Sequence, residues 1–124
     1  MQILVVEDQD SIRSLIEVLV SARGHKVMAV ASGAKALELA FQSTPDIVLL
    51  DLHLPGQYDG FAVCEKLRAA AATKNTPVVI ISAKDDAAAR ARATEVGATA
   101  FYGKPFSPTA LLKEIERLGR LPKA

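Results

Sequence analysis

The sequence is poor in several residue types, and each shortage excludes a class of protein. Among its 124 residues there is no tryptophan and only one cysteine, Cys64. A single cysteine cannot form an internal disulfide, so small secreted domains held by disulfides are excluded and a reducing compartment is favoured. We expect Cys64 to be a small core residue rather than a nucleophile.

An excess of charge and long apolar runs are also missing. The 15 Lys and Arg residues nearly balance the 14 Asp and Glu residues, so no global basic field favours nucleic acid or an anionic membrane as a partner. No apolar run approaches the ~20 residues that cross a bilayer, and the first residues lack the zones of a signal peptide. We therefore expect a soluble, cytoplasmic domain that binds neither nucleic acid nor membrane directly.

Four short apolar runs, and a weaker fifth, are the candidate strands. They are continuous rather than alternating, which is typical of parallel strands that are covered on both faces. The runs are residues 3–6 (ILVV), 27–30 (VMAV), 47–50 (IVLL), 78–81 (VVII) and, more weakly, 99–102 (TAFY).

Helical patterns separate these runs. An apolar stripe at i, i+3, i+4, i+7 and i+8 predicts a first helix over 12–20. The second begins after Ser32 as N-cap, the third covers 61–72, and the fourth begins near Asp85. The fifth opens with Ser107 as N-cap and proline at the next position. Five alternations of strand and helix predict an α/β fold with helices on both faces of the sheet.

Polar side chains follow four of the strands, where open parallel sheets usually place their functional sites. Glu7 and Asp8 follow the first strand and Asp51 the third, while Ser82 ends the fourth and Lys104 follows the fifth. If the strand order is 2-1-3-4-5, the first and third strands are neighbours and their carboxylates meet.

Three adjacent carboxylates repel one another unless positive charge lies among them. Mg²⁺, a hard cation that prefers oxygen ligands, and the ammonium of Lys104 both meet that need. An aspartate in this setting is equipped to attack phosphorus and hold an aspartyl phosphate, with Ser82 donating to a phosphoryl oxygen. Taken singly, each of these residues is better explained as a cap, a turn former or a surface charge. Their occurrence together is the functional signal.

With these motifs in place, the sequence resembles the receiver domains of bacterial two-component response regulators, members of the CheY-like superfamily. The resemblance runs from residue 3 to about residue 118. Its motifs are 3–8 (ILVVED), 47–52 (IVLLDL), 54–56 (LPG), 59–61 (DGF), 77–83 (PVVIISA), 97–98 (GA) and 101–106 (FYGKPF).

The resemblance implies a doubly wound (βα)5 flavodoxin-like sandwich of three layers around a parallel five-stranded sheet in the order 2-1-3-4-5. It implies a receiver domain over 1–118, followed by a tail or linker remnant over 119–124. Each functional position then has an implied role. Asp51 is the phospho-acceptor, and it binds the metal together with Asp8, Glu7 and the backbone carbonyl of His53. Ser82 is the switch hydroxyl, Lys104 contacts the phosphoryl group, and Phe101 is the switch aromatic.

The same resemblance implies a signalling function. The phosphoryl group would come from a sensor histidine kinase or a histidine phosphotransfer protein, with Mg²⁺ or alternatively Mn²⁺ as cofactor. The chain would not be an enzyme in the usual sense, because it catalyses only its own phosphorylation and dephosphorylation. Phosphorylation would remodel the face formed by the fourth helix, fifth strand and fifth helix, which would bind a downstream protein or support a phosphorylation-dependent homodimer.

One departure from the family pattern is visible. Gly60 lies nine residues after Asp51 rather than eight, which indicates a one-residue insertion near Gln57 and Tyr58. Because of this insertion, the sequence does not determine the path of the loop or the position of the metal-facing carbonyl of His53. We expect the imidazole of His53 to point outward, and Arg90 and Arg92 to be solvated on their alanine-rich helix.

Two rival functions use some of the same residues. Phosphatases of the haloacid dehalogenase type also use an aspartate nucleophile and Mg²⁺, but they need a second aspartate at the position of His53. A pseudo-receiver would only bind partners, and is disfavoured because the acidic pair, acceptor, hydroxyl and lysine are all present. The kinase, the pathway, and the choice between stand-alone receiver, phosphorelay shuttle and part of a longer regulator remain open.

Overall fold

Five parallel strands form a single sheet in this computed structural model, which describes residues 1–120. Their order in the sheet is β2-β1-β3-β4-β5, which confirms the predicted topology. The strands are β1 (Gln2–Val6), β2 (Lys26–Val30), β3 (Ile47–Leu50), β4 (Val78–Ser82) and β5 (Ala100–Gly103).

The continuous apolar strands supply side chains to two separate cores. In β1, Ile3 and Val5 face one core while Leu4 and Val6 face the other. This alternation follows from the two-residue period of a strand. It explains why these strands read as unbroken apolar runs, since neither face meets solvent.

Five helices cover the two faces of the sheet. Helices α1 (Asp10–Ser21) and α5 (Pro108–Arg120) pack on the face that carries Ile3. The opposite face is covered by α2 (Gly33–Ser43), α3 (Gly60–Ala69) and α4 (Ala87–Glu95). The predicted three-layer, doubly wound architecture is therefore confirmed.

Side-chain caps mark the first residues of α2, α4 and α5. The hydroxyl of Ser32 accepts from the Lys35 N–H at 3.3 Å, and that of Ser107 accepts from the Ala110 N–H at 3.2 Å. Both predicted N-caps are thus confirmed. In α4 the capping carboxylate is that of Asp86, which accepts from the Ala89 N–H at 2.7 Å, so the helix begins slightly later than predicted.

The third helix and the fifth strand differ from their predicted bounds. Helix α3 ends at Ala69, because Ala70 is extended, and the Thr73 hydroxyl donates to the Leu67 carbonyl at 2.7 Å beyond the helix end. Strand β5 is shifted by one residue. Thr99 lies just before it, and its hydroxyl accepts from the Val78 N–H at 3.0 Å.

The predicted tail begins too early. Helix α5 continues through Gly119 to Arg120, so these two residues belong to the last helix. The remainder of the predicted tail, 121–124, lies outside the described residues. Within residues 1–120, no helix combines the length and the apolar character that crossing a membrane requires.

Candidate functional site

The acidic residues lie at the carboxyl edge of the sheet because β1 and β3 are paired in register. Val6 is the partner of Leu50 in the ladder, so the residues that follow them emerge side by side. The Asp51 N–H donates to the Val6 carbonyl at 2.9 Å and extends the pairing by one step. The strand order thus brings Glu7 next to Asp51, as the sequence predicted.

The three carboxylates form one cluster. A carboxylate oxygen from each of Glu7, Asp8 and Asp51 lies within 4.8 Å of the other two. Glu7 and Asp51 are 2% and 5% exposed, whereas Asp8 is exposed. Placing this much negative charge in a poorly solvated position is costly unless cations lie close by.

Lys104 supplies one such cation. Its Nζ lies 2.5 Å from Oε1 of Glu7 and 3.4 Å from Oδ2 of Asp51, and its side chain is 12% exposed. The Lys104 N–H donates to the Ser82 carbonyl at 2.9 Å, which fixes the lysine backbone beside the end of β4. The ammonium therefore joins two buried carboxylates that follow different strands.

Ser82 lies beside this lysine as the fully buried last residue of β4. Its pairing partner in the sheet is Gly103, the residue before Lys104. The Ser82 hydroxyl accepts from the Lys84 N–H at 3.1 Å, so it is tied to the loop that leads into α4.

The loop after β3 holds His53 and the inserted residue. The His53 side chain is exposed, as predicted, and its backbone N–H donates to Oδ1 of Asp51 at 3.4 Å. Within the insertion, Gln57 is exposed while Tyr58 is partly buried against the core under α2 and α3. The loop ends at Asp59, whose carboxylate caps α3 by accepting from the Ala62 N–H at 2.8 Å.

Phe101 lies in β5, three residues before Lys104. Its ring is partly buried and packs against the core beneath α4. The guanidinium of Arg90 lies over the ring, 4.6 Å from its centroid. The expectation that Arg90 and Arg92 are simply solvated is therefore incomplete, since Arg92 also lies over a ring, that of Phe61, at 4.4 Å.

Sequence reasoning also missed Arg13. Its guanidinium donates to the Glu7 carbonyl at 3.0 Å and pairs with Asp10 at 2.5 Å, which ties the start of α1 to the acidic loop. The only sequence signal was the i,i+3 spacing of Asp10 and Arg13, a common pattern on exposed helices.

The carboxylate cluster fits a hard divalent cation. Its donors are oxygens, which Mg²⁺ prefers, and the exposed Asp8 carboxylate makes no hydrogen bond or ion pair to any other described residue. Asp8 also borders an open cleft of about 450 Å³. The other residues that border this cleft include His53, Pro55, Asp59, Lys84 and Arg92.

Three comparisons with known proteins agree with this geometry. A family model described as "Response regulator receiver domain" matches residues 3–116. The chain is similar to the probable transcriptional regulator ycf27 of Guillardia theta, with 35% identity over 119 residues that cover 96% of this chain and 45% of that protein. The chain thus spans less than half the length of that curated relative.

Two solved structures have the same fold. One is the BeF3-activated N-terminal receiver domain of Klebsiella pneumoniae RstA, with TM-score 0.89, 29% identity, and coverage of 98% of this chain and 100% of that one. The other is the receiver domain of a sensor histidine kinase from Pseudomonas aeruginosa, with TM-score 0.87, 28% identity, and coverage of 95% and 97%. The latter holds a magnesium ion in its active-site cleft.

Proposed function

The chain belongs to the family of response regulator receiver domains, and from this premise we propose that it accepts a phosphoryl group on Asp51 and thereby controls partner binding. The observation that carries the proposal is the contact of one ammonium, that of Lys104, with Asp51 and Glu7 inside a cluster of three carboxylates. A carboxylate nucleophile flanked by oxygen ligands and a fixed cation is suited to phosphoryl transfer.

The phosphoryl donor that we propose is a phosphohistidine on a sensor histidine kinase or a histidine phosphotransfer protein. An Asp51 carboxylate oxygen attacks the phosphorus, a P–O bond forms, and the P–N bond breaks, with the leaving imidazole taking up a proton. Lys104 neutralises charge on the transferring group, and the buried hydroxyl of Ser82 donates to one of its oxygens.

A divalent cation completes the site in this proposal. Glu7, Asp8 and Asp51, with the backbone carbonyl of His53, would hold Mg²⁺ or Mn²⁺, which supplies positive charge to the phosphoryl oxygens. The exposed Asp8 is the carboxylate most accessible to an entering ion. The magnesium ion in the P. aeruginosa receiver domain supports this assignment.

The signal ends by hydrolysis. Water attacks the phosphorus of the aspartyl phosphate, and the products are inorganic phosphate and the free Asp51 carboxylate. The chain therefore acts on itself and turns over no separate substrate, so we do not class it as an enzyme. We place this cycle in the cytoplasm, which the unpaired Cys64 also favours.

The output that we propose is a change of the α4-β5-α5 face. Phosphorylation draws Ser82 toward the phosphoryl group and turns Phe101 inward, which biases a two-state equilibrium. The altered face binds a downstream protein or a second phosphorylated copy of the chain. The conformational coupling in such switches is typically about 1–3 kcal/mol.

Incubation with acetyl phosphate and Mg²⁺ tests this function. Intact-mass spectrometry should show the addition of one phosphoryl group to the wild-type chain and to Asp10→Asn, an exposed carboxylate outside the cluster. Asp51→Asn should show none. Absence of modification with acetyl phosphate and with a phosphorylated kinase would favour the pseudo-receiver, and sustained turnover of small phosphate esters would favour a phosphatase.

A further inference from the structure

Two side chains, those of Asp85 and Arg90, connect the loop after β4 to the ring of Phe101. Asp85, in that loop, pairs with the guanidinium of Arg90 on α4. The same guanidinium lies over the Phe101 ring, 4.6 Å from its centroid. The pair holds the pKa of Asp85 below its ordinary value and raises that of Arg90, chiefly through the hydrogen bond between them.

Gly103 gives Asp85 the room to occupy this position. A Cβ atom at Gly103 would lie 3.1 Å from Cγ of Asp85 and 3.3 Å from its Cβ, and still closer to one carboxylate oxygen. Asp85 is therefore packed against Gly103 of β5, and the Arg90 guanidinium contacts both the Asp85 carboxylate and the Phe101 ring.

We propose that Arg90 is a positioning residue that holds Phe101 in its partly exposed position and so opposes the inward turn of the ring. This inference rests on the proposed function, in which Phe101 turns inward on phosphorylation. A guanidinium over an aromatic face is attracted to the ring electrons, and deeper burial of the ring moves it away from the exposed Arg90. The contact therefore stabilises the outer position selectively.

The same contact links the ring to the phosphorylation site. The Ser82 hydroxyl accepts from the Lys84 N–H at 3.1 Å, and Asp85 is the next residue along the chain. A movement of Ser82 toward Asp51 displaces this loop and with it the anchor of Arg90. Coupling of this kind is reciprocal, so loss of Arg90 must also strengthen the binding of a phosphoryl group or its analogue.

Fluorine NMR on protein labelled with 4-fluorophenylalanine tests the position of the ring. The chain has four phenylalanines, and Phe101→Tyr identifies the Phe101 resonance. In the absence of any phosphoryl analogue, Arg90→Gln should move this resonance toward its position in the beryllofluoride-treated wild type. Asp85→Asn and Gly103→Ala should move it the same way by less, and Arg90→Lys should restore part of the wild-type signal.

Arg92→Gln is the matched control. Arg92 lies on the same helix and over a different ring, that of Phe61, at 4.4 Å. Its replacement should shift the Phe61 resonance and leave that of Phe101 unchanged. A general disturbance of α4 would move both resonances in both variants and would overturn the assignment to Arg90.

Titration with beryllofluoride in the presence of Mg²⁺ provides the second measurement. Arg90→Gln should lower the half-saturating concentration by about two- to fivefold, the size expected from an exposed cation–π contact. An unchanged or raised concentration, or an unmoved Phe101 resonance, would overturn the proposal. A wild-type chain that does not respond to beryllofluoride would contradict the proposed function. In that case a Phe101 resonance that moves in free Arg90→Gln but not in free Arg92→Gln would still show that Arg90 positions the ring.

Discussion

The ammonium of Lys104 lies closer to Glu7 than to Asp51, at 2.5 Å from Oε1 of Glu7 and 3.4 Å from Oδ2 of Asp51. Lys104 is thus an ion-pair partner of the buried glutamate as well as a neighbour of the proposed phospho-acceptor. Removal of the lysine leaves two buried carboxylates without their cation, a change that is usually strongly destabilising.

Lys104→Met should lower the free energy of unfolding by about 3 kcal/mol in the presence of EDTA. Addition of Mg²⁺ should recover part of this loss, because a bound cation replaces the missing charge. Urea denaturation with and without Mg²⁺ measures both effects. The double variant Glu7→Gln with Lys104→Met should be more stable than Lys104→Met alone, because it leaves one fewer buried charge without a partner. Equal stability of the two variants would show that the ion pair between Lys104 and Glu7 does not contribute to the free energy of unfolding.

Gly60→Ala should disturb Asp51 even though alanine favours helices. A Cβ at Gly60 would collide with the Asp51 carbonyl oxygen and lie 2.7 Å from Cα of Leu52. Since backbone atoms cannot move aside cheaply, we expect a loss of about 2 kcal/mol in unfolding free energy. Phosphorylation by acetyl phosphate should also slow, because the backbone that carries the acceptor is displaced.

Gly56→Ala is the control for Gly60→Ala. Gly56 has φ +87°, and no atom of a non-adjacent residue within 1–120 lies within 4 Å of the position that a Cβ would take, so alanine there is strained but meets no neighbour. We expect it to cost about 1 kcal/mol and to leave the rate of phosphorylation unchanged. Equal phosphorylation rates in the two variants would contradict a specific role for the Gly60 contact.

The inserted loop makes a contribution to the fold that its sequence does not reveal. Tyr58 packs against the core, and Lys66 lies over its ring at 5.3 Å from the centroid. Tyr58→Ala should therefore destabilise the protein by about 2 kcal/mol, less than the loss of a fully buried ring. Exposed Gln57→Ala should change stability by less than about 0.5 kcal/mol. Thermal or urea unfolding compares the two, and equal stabilities would show that Tyr58 is not anchored.

The parallel strands and their common polar edge could be predicted from short-range patterns, because continuous apolar runs indicate parallel strands and parallel strands end at the same edge of a sheet. The strand order, which puts Glu7 beside Asp51, was implied by the resemblance to receiver domains. The caps at Ser32 and Ser107 were also predictable from short-range patterns, since an N-cap bond spans only three residues.

Contacts between distant residues could not be predicted in this way. The sequence indicated that Lys104 belongs to the site, but its shorter distance to Glu7 depends on how three strands and a loop pack together. Arg90 was predicted to be an ordinary surface residue on an alanine-rich helix. No sequence pattern near Arg90 indicates that its guanidinium covers the ring of Phe101, 11 positions later. The early end of α3 is accompanied by a hydrogen bond from the Thr73 hydroxyl, which lies beyond the helix, to the Leu67 carbonyl.

Cys64 should become reactive only when the chain unfolds. Its thiol is buried and donates to the Val96 carbonyl at 3.3 Å, and burial raises its pKa above the ordinary value. The folded state therefore keeps the proton to higher pH than the unfolded state does. Above the ordinary pKa of a thiol the unfolded chain loses its proton first, so this contribution to stability is complete at lower pH and declines as pH rises.

Urea denaturation of the wild type and Cys64→Ala across pH 7 to about 10 isolates this effect. The difference in unfolding free energy between the two should shrink as pH rises, because only the wild type carries the thiol, while other titrating groups are common to both. Under native conditions a thiol reagent should modify Cys64 slowly, at a rate that increases with added urea. Rapid modification of the folded protein would contradict both the burial and the raised pKa of Cys64.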